Sequence, residues 1–195
     1  ARVHAQVPAL DVLVNNAGVA FAGGLLDTPP AQWDWVLGIN LGGVVNGCHA
    51  FAPAMVKRGT GGAIVNVASV LGMYAAPGMT AYVASKFAVL GLSQALRAEL
   101  APHHIAVSAI CPGMIATQIV TSARAPAGAP MQRAIDAFRK KGASPAKVGD
   151  AIVDAIRHDR AVVPVTPEAW AIWGLSRAAP GVLAALGARA LRRLT

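Results

Sequence analysis

The sequence is poor in the residues that mark several large classes of protein. It has only two cysteines in 195 residues, and only 13% of its residues are charged. Cys48 and Cys111 stand far apart in apolar segments, so they predict neither a disulfide framework nor a metal site, and they favour a reducing cytoplasm. No apolar run is long and uninterrupted enough to span a bilayer. What remains is 55% apolar, a composition typical of a globular domain with a sizeable core.

Positive charge is concentrated in the last part of the chain. Residues 1–120 contain five Lys or Arg and four Asp or Glu, whereas residues 121–195 contain twelve and five. These basic residues are scattered, without interleaved aromatics, and they match no nucleic-acid-binding module. We therefore expect a solvated basic surface and no nucleic-acid partner.

Short apolar runs alternate with helical patterns along the chain. The runs predict four strands, at 10–18, 63–69, 105–111 and 161–166. The first reads as a strand buried on both faces, and Pro164 places the last at an edge. Helices are predicted from about 30 to 59, from Tyr82 to near Pro102, from about 130, and over 146–158, 168–177 and 180–194. This order predicts a parallel α/β sheet with crossover helices and no second domain.

The first long helix contains a weak point. Thr28 or a neighbour is predicted to cap it, and proline occupies its first turn. Further along, Asn40 is followed closely by Gly42 and Gly43, and each glycine costs about 1 kcal/mol relative to alanine. We expect a kink or a freed carbonyl there.

Ser69, Tyr82 and Lys86 form a candidate catalytic group. Tyr82 and Lys86 are four residues apart on one predicted helix, so they share a face, and Ser69 ends the preceding strand. An ammonium about 4 Å from the phenol, at an effective dielectric near 20, favours tyrosinate by roughly 4 kcal/mol, or about three pKa units. The pair is thus a candidate general acid and base near neutral pH. Taken singly, each residue also fits a solvated helix face or a turn.

Several markers together carry a family resemblance. They are Asn15-Asn16-Ala17-Gly18, Asn40, Ser69, Tyr82-Val83-Ala84-Ser85-Lys86, and Pro112-Gly113 with Thr117. In order and spacing they resemble the short-chain dehydrogenase/reductase family, closely over residues 8–120. The resemblance implies a Rossmann-like, doubly wound parallel sheet and reversible hydride transfer between NAD or NADP and an alcohol/carbonyl pair.

The resemblance also implies a role for each marker. Tyr82 would exchange a proton with the substrate oxygen, Ser69 would hold that oxygen, and Lys86 would lower the Tyr82 pKa and bind the nicotinamide ribose. Asn40 would position a water that links Lys86 to solvent. The residues expected to contact the cofactor, besides Tyr82 and Lys86, are Asn15, Ala17, Gly18, Pro112, Gly113, Ile115 and Thr117.

One part of the family pattern is missing. The T-G-x-x-x-G-x-G turn that holds the pyrophosphate, together with its flanking strands, has no counterpart before residue 10. We therefore assign residues 1–166 to the C-terminal part of a Rossmann-fold domain without its first two βα units, and 167–195 to a helical extension. The chain reads as a fragment of a longer gene product. The alternative is a truncated, non-catalytic subunit or scaffold.

The segment after Gly113 is expected to face the substrate. Its apolar residues suit a small hydrophobic alcohol, ketone or aldehyde, although packing of the loop against the core explains them equally well. They are Ile115, Ile119, Val120, Met131, Ile135 and Phe138. For the full-length protein the resemblance implies a homo-oligomer, a dimer or tetramer.

Residues 180–194 form an amphipathic helical pattern. Leu183, Leu186, Ala190 and Leu194 cluster on one side, and Arg189, Arg192 and Arg193 lie on the other. Packing on the domain or on a second subunit explains the pattern best. Peripheral contact of a cytoplasmic protein with an anionic membrane is the alternative.

Overall fold

The computed structural model describes residues 2–192 as alternating strands and helices. In chain order the elements are α1 (Arg2–Gln6), β1 (Val12–Asn15), α2 (Pro30–Leu37), a π-helix (Gly38–Gly42), α3 (Gly43–Arg58), β2 (Gly62–Val67), a 3-10 turn (Val70–Gly72), α4 (Thr80–Leu100), a second 3-10 turn (Ala101–His103), β3 (Ile105–Cys111), α5 (Met131–Lys141), α6 (Ala146–Arg157), β4 (Val162–Pro164), α7 (Pro167–Ala178) and α8 (Pro180–Arg192).

The four strands form one parallel sheet in the order β1-β2-β3-β4. Asn15 is level with Asn66 across the first pair, and Cys111 is level with Pro164 across the last. Because all strands are parallel, their carboxyl ends lie at one edge of the sheet, and the segments that follow them meet there. The predicted parallel α/β sheet with crossover helices is confirmed, and β4 is an edge strand as Pro164 indicated.

Helices cover both faces of the sheet. On one face, α3 and α4 pack on the strands through a core that contains Met55, Ile64, Val89 and Val107. On the other face, Val65 and Ile110 pack against Ala155 of α6. Neighbouring residues of one strand therefore enter opposite cores, which explains why the strands read as nearly continuous apolar runs.

β1 departs from the prediction of a strand buried on both faces. It is four residues long, and Leu13 is buried while Val12 and Val14 are 39% and 41% exposed. α3 covers the Leu13 side, and within residues 2–192 no layer of helices covers the other. Burial on both faces was predicted because Val12 and Val14 are apolar.

The predicted irregularity around Asn40 is a π-helix. Residues Gly38–Gly42 join α2 to α3 without ending the helix, and Asn40 is fully buried in this turn. A π-helical turn inserts an extra residue into the ladder, and such turns occur mainly at functional sites. Thr28 is not the cap: Pro29 occupies the cap position, and the Thr28 hydroxyl donates to the Gly24 carbonyl at 2.7 Å.

α8 lies against the domain. Leu183 is buried, and a Cβ added at Gly187 would stand 2.9 Å from the Tyr74 hydroxyl, so the helix approaches the segment after β2 closely. Val182 and Leu186 are exposed. The side chains of Ala190 and Arg192, and residues Arg193 and Leu194, lie outside the described residues. Within 2–192, every helix is too short or too polar to cross a membrane.

Candidate active site

Three sequence-predicted residues meet at the carboxyl edge of the sheet. Ser69 follows β2 by two residues, while Tyr82 and Lys86 lie one turn apart on α4. Tyr82 and Ser69 are each 8% exposed, and Lys86 is 3% exposed. A tyrosine and a lysine on a solvated helix face would be far more accessible, so that ordinary explanation does not apply.

Ser69 is held by the turn that it caps. Its backbone is extended, and its hydroxyl oxygen accepts a hydrogen bond from the Leu71 amide at 3.1 Å. The Ser69 side chain also lies beside the Tyr82 phenol, where it acts to lower the Tyr82 pKa. These contacts fix the hydroxyl beside the phenol, the position from which it can bind a substrate oxygen.

Lys86 is a buried lysine tied to a main-chain carbonyl. Its Nζ donates to the Val67 carbonyl at 2.9 Å, at the end of β2. Burial disfavours the charged form and lowers the Lys86 pKa to about 8. The Cys111 thiol has a pKa raised to about 12 by burial, so it is neutral at physiological pH.

The expected fall in the Tyr82 pKa is not found. Burial of the phenol raises the Tyr82 pKa, and the hydrogen bond from Ser69 offsets this only in part. The Lys86 ammonium is turned toward Val67 and lies 5.7 Å from the centroid of the Tyr82 ring. The expected lowering of the Tyr82 pKa by Lys86 is thus not seen in this structure, in which burial of the phenol is the largest influence on that pKa.

Asn40 is brought to the same region by the π-helix. Its Oδ1 accepts from the Val19 amide at 2.8 Å, and its Nδ2 donates to the Val19 carbonyl at 3.0 Å and to the Ser85 hydroxyl at 2.9 Å. Both N–H groups of the amide are therefore used. A Cβ added at Gly18 would lie 3.4 Å from both the Asn40 Oδ1 and the Lys86 Nζ, so the glycine keeps the chain close to the two groups.

The Asn15 side chain does not point toward the candidate site. Its Nδ2 donates to Asn66 Oδ1 at 2.8 Å and contacts the Cys48 sulfur at 3.6 Å. Asn66 in turn donates to the Ser93 hydroxyl at 3.0 Å. The Asn15 amide nitrogen thus ties β1 to β2 and, through Asn66, to α4. Ala17 is exposed in the following loop.

The turn after β3 is clamped by the start of α7. The Met114 amide donates to Glu168 Oε1 at 3.0 Å, and a Cβ at Gly113 would overlap the side chains of Thr166 and Glu168. Glycine is therefore required for this packing. Ile115 is buried and pairs with Ala143, whereas Thr117 is exposed. Among the predicted contacts after β3, Thr117 has the most accessible side chain.

A cavity of about 750 Å³ lies between the segment after Gly113 and α5. Its lining includes Thr117, Val120, Ile135, Phe138 and Arg139. Three of the residues predicted to face the substrate are among them. Ser69, Tyr82 and Lys86 do not line it, so the cavity adjoins the candidate cofactor side through Thr117 and is separate from the catalytic group.

Sequence reasoning missed a contact that crosses this edge of the molecule. The Arg124 guanidinium lies 3.8 Å from the centroid of the Trp35 ring, and its Nη1 donates to Gln32 Oε1 at 3.3 Å. Backbone bonds join Arg124 to Ala20 and Ala22. The pairing is long-range, and neither segment shows a strand pattern, so no local signal could have predicted it.

Fold and site together define the class: an α/β protein of the Rossmann type with its candidate site at the carboxyl edge of the sheet. The chain belongs to the short-chain dehydrogenase family, whose family model, described as "short chain dehydrogenase", matches residues 1–128. The resemblance noted from the motifs is thereby confirmed.

Relatives and solved structures support the assignment. The chain is 44% identical over 190 residues to "Probable oxidoreductase EphD" of Mycobacterium tuberculosis, which covers 93% of this chain and 32% of that protein. It is 46% identical over 115 residues to the "2-(R)-hydroxypropyl-CoM dehydrogenase" of Xanthobacter autotrophicus, covering 57% and 46%. The chain thus spans about a third to a half of these relatives.

Two similar structures were solved with nucleotides. A short chain dehydrogenase/reductase from Burkholderia phymatum in complex with NAD has a TM-score of 0.81 at 28% identity, covering 89% of this chain and 67% of that one. A short chain dehydrogenase from Burkholderia cenocepacia in complex with NADP has a TM-score of 0.78 at 29% identity, covering 96% and 74%.

Proposed function

We propose that these residues form the catalytic part of an oxidoreductase that interconverts an alcohol and a ketone or aldehyde with NAD or NADP. The observation that carries the proposal is the burial of Ser69, Tyr82 and Lys86 together at the carboxyl edge of the sheet. Burying a phenol beside a buried amine and a fixed hydroxyl costs folding free energy. Groups of this kind cluster at functional sites.

Tyr82 is the proposed acid and base. In the reducing direction its hydroxyl donates a proton to the substrate oxygen while the carbonyl carbon becomes an alcohol carbon; in the oxidising direction the same oxygen takes the proton back. Ser69 orients the substrate oxygen by a hydrogen bond. With its raised pKa, Tyr82 is protonated at neutral pH, and so is poised as the acid for reduction.

The residues around Lys86 fit the ribose end of a nicotinamide nucleotide. The described structure shows one hydrogen bond for the Lys86 ammonium, so two of its N–H groups can reach ribose hydroxyls, and Gly18 leaves space next to it. When bound, the cofactor supplies or accepts the hydride. The other proposed contacts with the cofactor are the Thr117 side chain and the backbone groups of residues 15–18, Pro112, Gly113 and Ile115. Within 2–192, no glycine-rich turn leads from a strand to hold a pyrophosphate.

Asn40 is the proposed link between Lys86 and solvent. Because both of its N–H groups are used inside the protein, a water that it positions must be held by an oxygen of this residue. The π-helical turn supplies the irregular backbone that such a water needs.

A small hydrophobic alcohol or carbonyl compound is the proposed substrate. Val120, Ile135 and Phe138 give the cavity beside Thr117 apolar walls that suit this class, while Gln118 and Arg139 add polar groups to the same lining. We also propose assembly into a dimer or tetramer, with peripheral membrane contact through α8 as the alternative use of that helix. Burial of Leu183 argues for packing on the domain, and Val182 and Leu186 leave apolar surface on the helix. Absence of the full-length protein from the pellet after co-sedimentation with anionic vesicles would remove the membrane contact.

Replacing Tyr82 with phenylalanine tests the enzymatic role. In the gene product that contains these residues, Tyr82→Phe should lower kcat by about 100-fold or more, because positioned acid–base catalysis contributes about 10²- to 10⁴-fold. The assay is oxidation of NADH and NADPH with a panel of medium-chain ketones and aldehydes. Tyr74→Phe removes the other tyrosine hydroxyl of the segment and should leave kcat within about threefold.

The outcomes separate the enzyme from a scaffold. Equal activity of Tyr82→Phe and wild type would refute the assigned mechanism. A folded wild-type protein that oxidises neither nucleotide with any carbonyl in the panel would favour the non-catalytic subunit, although a scaffold gives no reason for burying Lys86.

A further inference from the structure

Two buried serines of α4 are bonded in the same way to two asparagines on neighbouring elements. Ser85 and Ser93 are 0% and 2% exposed. Each accepts a hydrogen bond from an asparagine Nδ2 and donates its own proton to a carbonyl of the preceding helical turn. In each pair the serine hydroxyl joins the helix backbone to a side chain from another element.

The Ser85 pair lies in the turn that carries the candidate catalytic residues. Asn40 Nδ2 donates to Ser85 Oγ at 2.9 Å, and Ser85 Oγ donates to the Tyr82 carbonyl at 2.7 Å. Asn40 is also bonded through its side chain to both backbone groups of Val19. One hydroxyl thus connects the π-helix, the segment after β1 and the turn from Tyr82 to Lys86.

The Ser93 pair lies two turns further along the same helix. Asn66 Nδ2 donates to Ser93 Oγ at 3.0 Å, and Ser93 Oγ donates to the Val89 carbonyl at 2.7 Å. Its chemistry and burial match those of the Ser85 pair, while it joins α4 to the middle of the sheet. Ser93 can therefore serve as the control for the loss of a buried serine hydroxyl with a purely structural role.

We propose that Ser85 is a positioning residue that holds the π-helix around Asn40 in register with the Tyr82–Lys86 turn. This inference rests on the proposed function and deepens it. Ser85 touches neither the substrate nor the cofactor in the proposed arrangement, and it acts through Asn40 and through the backbone of Tyr82.

Loss of the Ser85 hydroxyl has a specific physical consequence. One N–H of Asn40 would be left in a fully buried place without its partner, and a buried donor without a partner is strongly disfavoured. The π-helix and α4 would relax relative to each other to satisfy it. Reacting groups need to be held within a fraction of an ångström, so a small relaxation at this point changes the rate much more than the fold.

The test compares Ser85→Ala with Ser93→Ala in the gene product that contains these residues. Both variants should lose similar thermal stability, since each loses the same two hydrogen bonds. Ser85→Ala should lower kcat about tenfold with the KM for NADH or NADPH changed less than about threefold, and Ser93→Ala should keep kcat within about threefold. Ser85→Cys, which keeps a weak acceptor, should lie between Ser85→Ala and wild type.

Hydrogen exchange gives a readout that does not need turnover. Ser85→Ala should speed amide exchange in residues 17–20 and 38–42, and Ser93→Ala should not. Equal exchange in those segments for the two alanine variants, or an equal loss of kcat, would overturn the positioning role. A wild-type protein without activity would refute the proposed function alone, since the exchange comparison still decides the role of Ser85. If Ser85→Ala does not fold, the same comparisons are made with Ser85→Cys.

Discussion

At the scale of one residue, Lys86 is a buried lysine of α4 whose ammonium is held by a carbonyl at the end of β2. The spacing of Tyr82 and Lys86 correctly predicts that they share a helix face. It does not predict that the ammonium is bonded to the Val67 carbonyl, because that partner lies on a strand 19 residues earlier. The Tyr82 pKa is raised by burial of the phenol, and burial is not encoded locally.

The buried lysine predicts a pH-dependent stability. The Lys86 pKa is 10.5 as a free group and about 8 in the fold, so between those values the unfolded chain binds more protons. The cost of burying Lys86 is therefore complete below about pH 8 and is relieved as the pH rises toward 10.5. We expect Lys86→Met to gain stability relative to wild type below pH 8, by a margin that shrinks by up to about 3 kcal/mol across the window.

Urea unfolding of both proteins at about pH 7, 8 and 9.5 measures that margin. Titration of the cysteines and Tyr82 is largely common to both proteins and cancels in the difference. Lys57→Met, which removes an exposed lysine of α3, controls for the loss of one lysine. A margin for Lys86→Met that stays constant or grows with pH would contradict the prediction.

At the scale of elements, the sequence predicts regular structure well and long-range contacts poorly. β3 agrees residue for residue, because a β-branched run ended by Pro112 and Gly113 leaves little freedom. The interruption at Asn40 was predicted, but its form as a π-helix depends on the bonds of Asn40 to Val19 and Ser85. The pairing of Arg124 with Ala20 and Ala22 had no sequence signal.

From the contacts of Arg124 with Trp35, Ala20 and Ala22, we predict that replacing Arg124 changes the local dynamics of its segment. Arg124→Ala removes an exposed cation–π contact with Trp35, worth about 0.5–1 kcal/mol, and should loosen residues 118–129 without unfolding the domain. Hydrogen exchange should become faster at the amides of Ala22 and Arg124, which form the backbone bonds there. Arg133→Ala, in exposed α5, should leave those amides unchanged. Equal effects of both variants would mean that Arg124 does not hold the segment.

At the scale of the whole molecule, the sheet has two unequal edges. β4 is short and contains a proline, which discourages further pairing, whereas β1 carries the exposed Val12 and Val14 and has one neighbour within the described residues. The apolar run of β1 by itself indicated burial on both faces, because apolar residues at alternate positions look the same whether or not a helix covers them.

Because β1 has a free edge within the described residues and exposes Val12 and Val14, we predict that the 195-residue chain self-associates. Val14→Lys should reduce it, since a charged side chain on an edge strand disfavours pairing with another chain. Light scattering over a range of protein concentrations measures the effect. Val153→Lys, at an exposed valine of α6, adds the same charge elsewhere and should have a smaller effect. If both variants reduce association equally, net charge is responsible rather than the edge.

The strand order β1-β2-β3-β4 also has a consequence for synthesis on the ribosome. Each strand pairs with the one made just before it, so β2 finds β1 already outside the exit tunnel, and β3 and β4 follow in turn. At about 5–20 residues per second, the passage from β1 to β4 takes roughly 8–30 s, which is ample for each strand and its helix to dock before the next emerges. The sheet can therefore grow one strand at a time in the direction of translation.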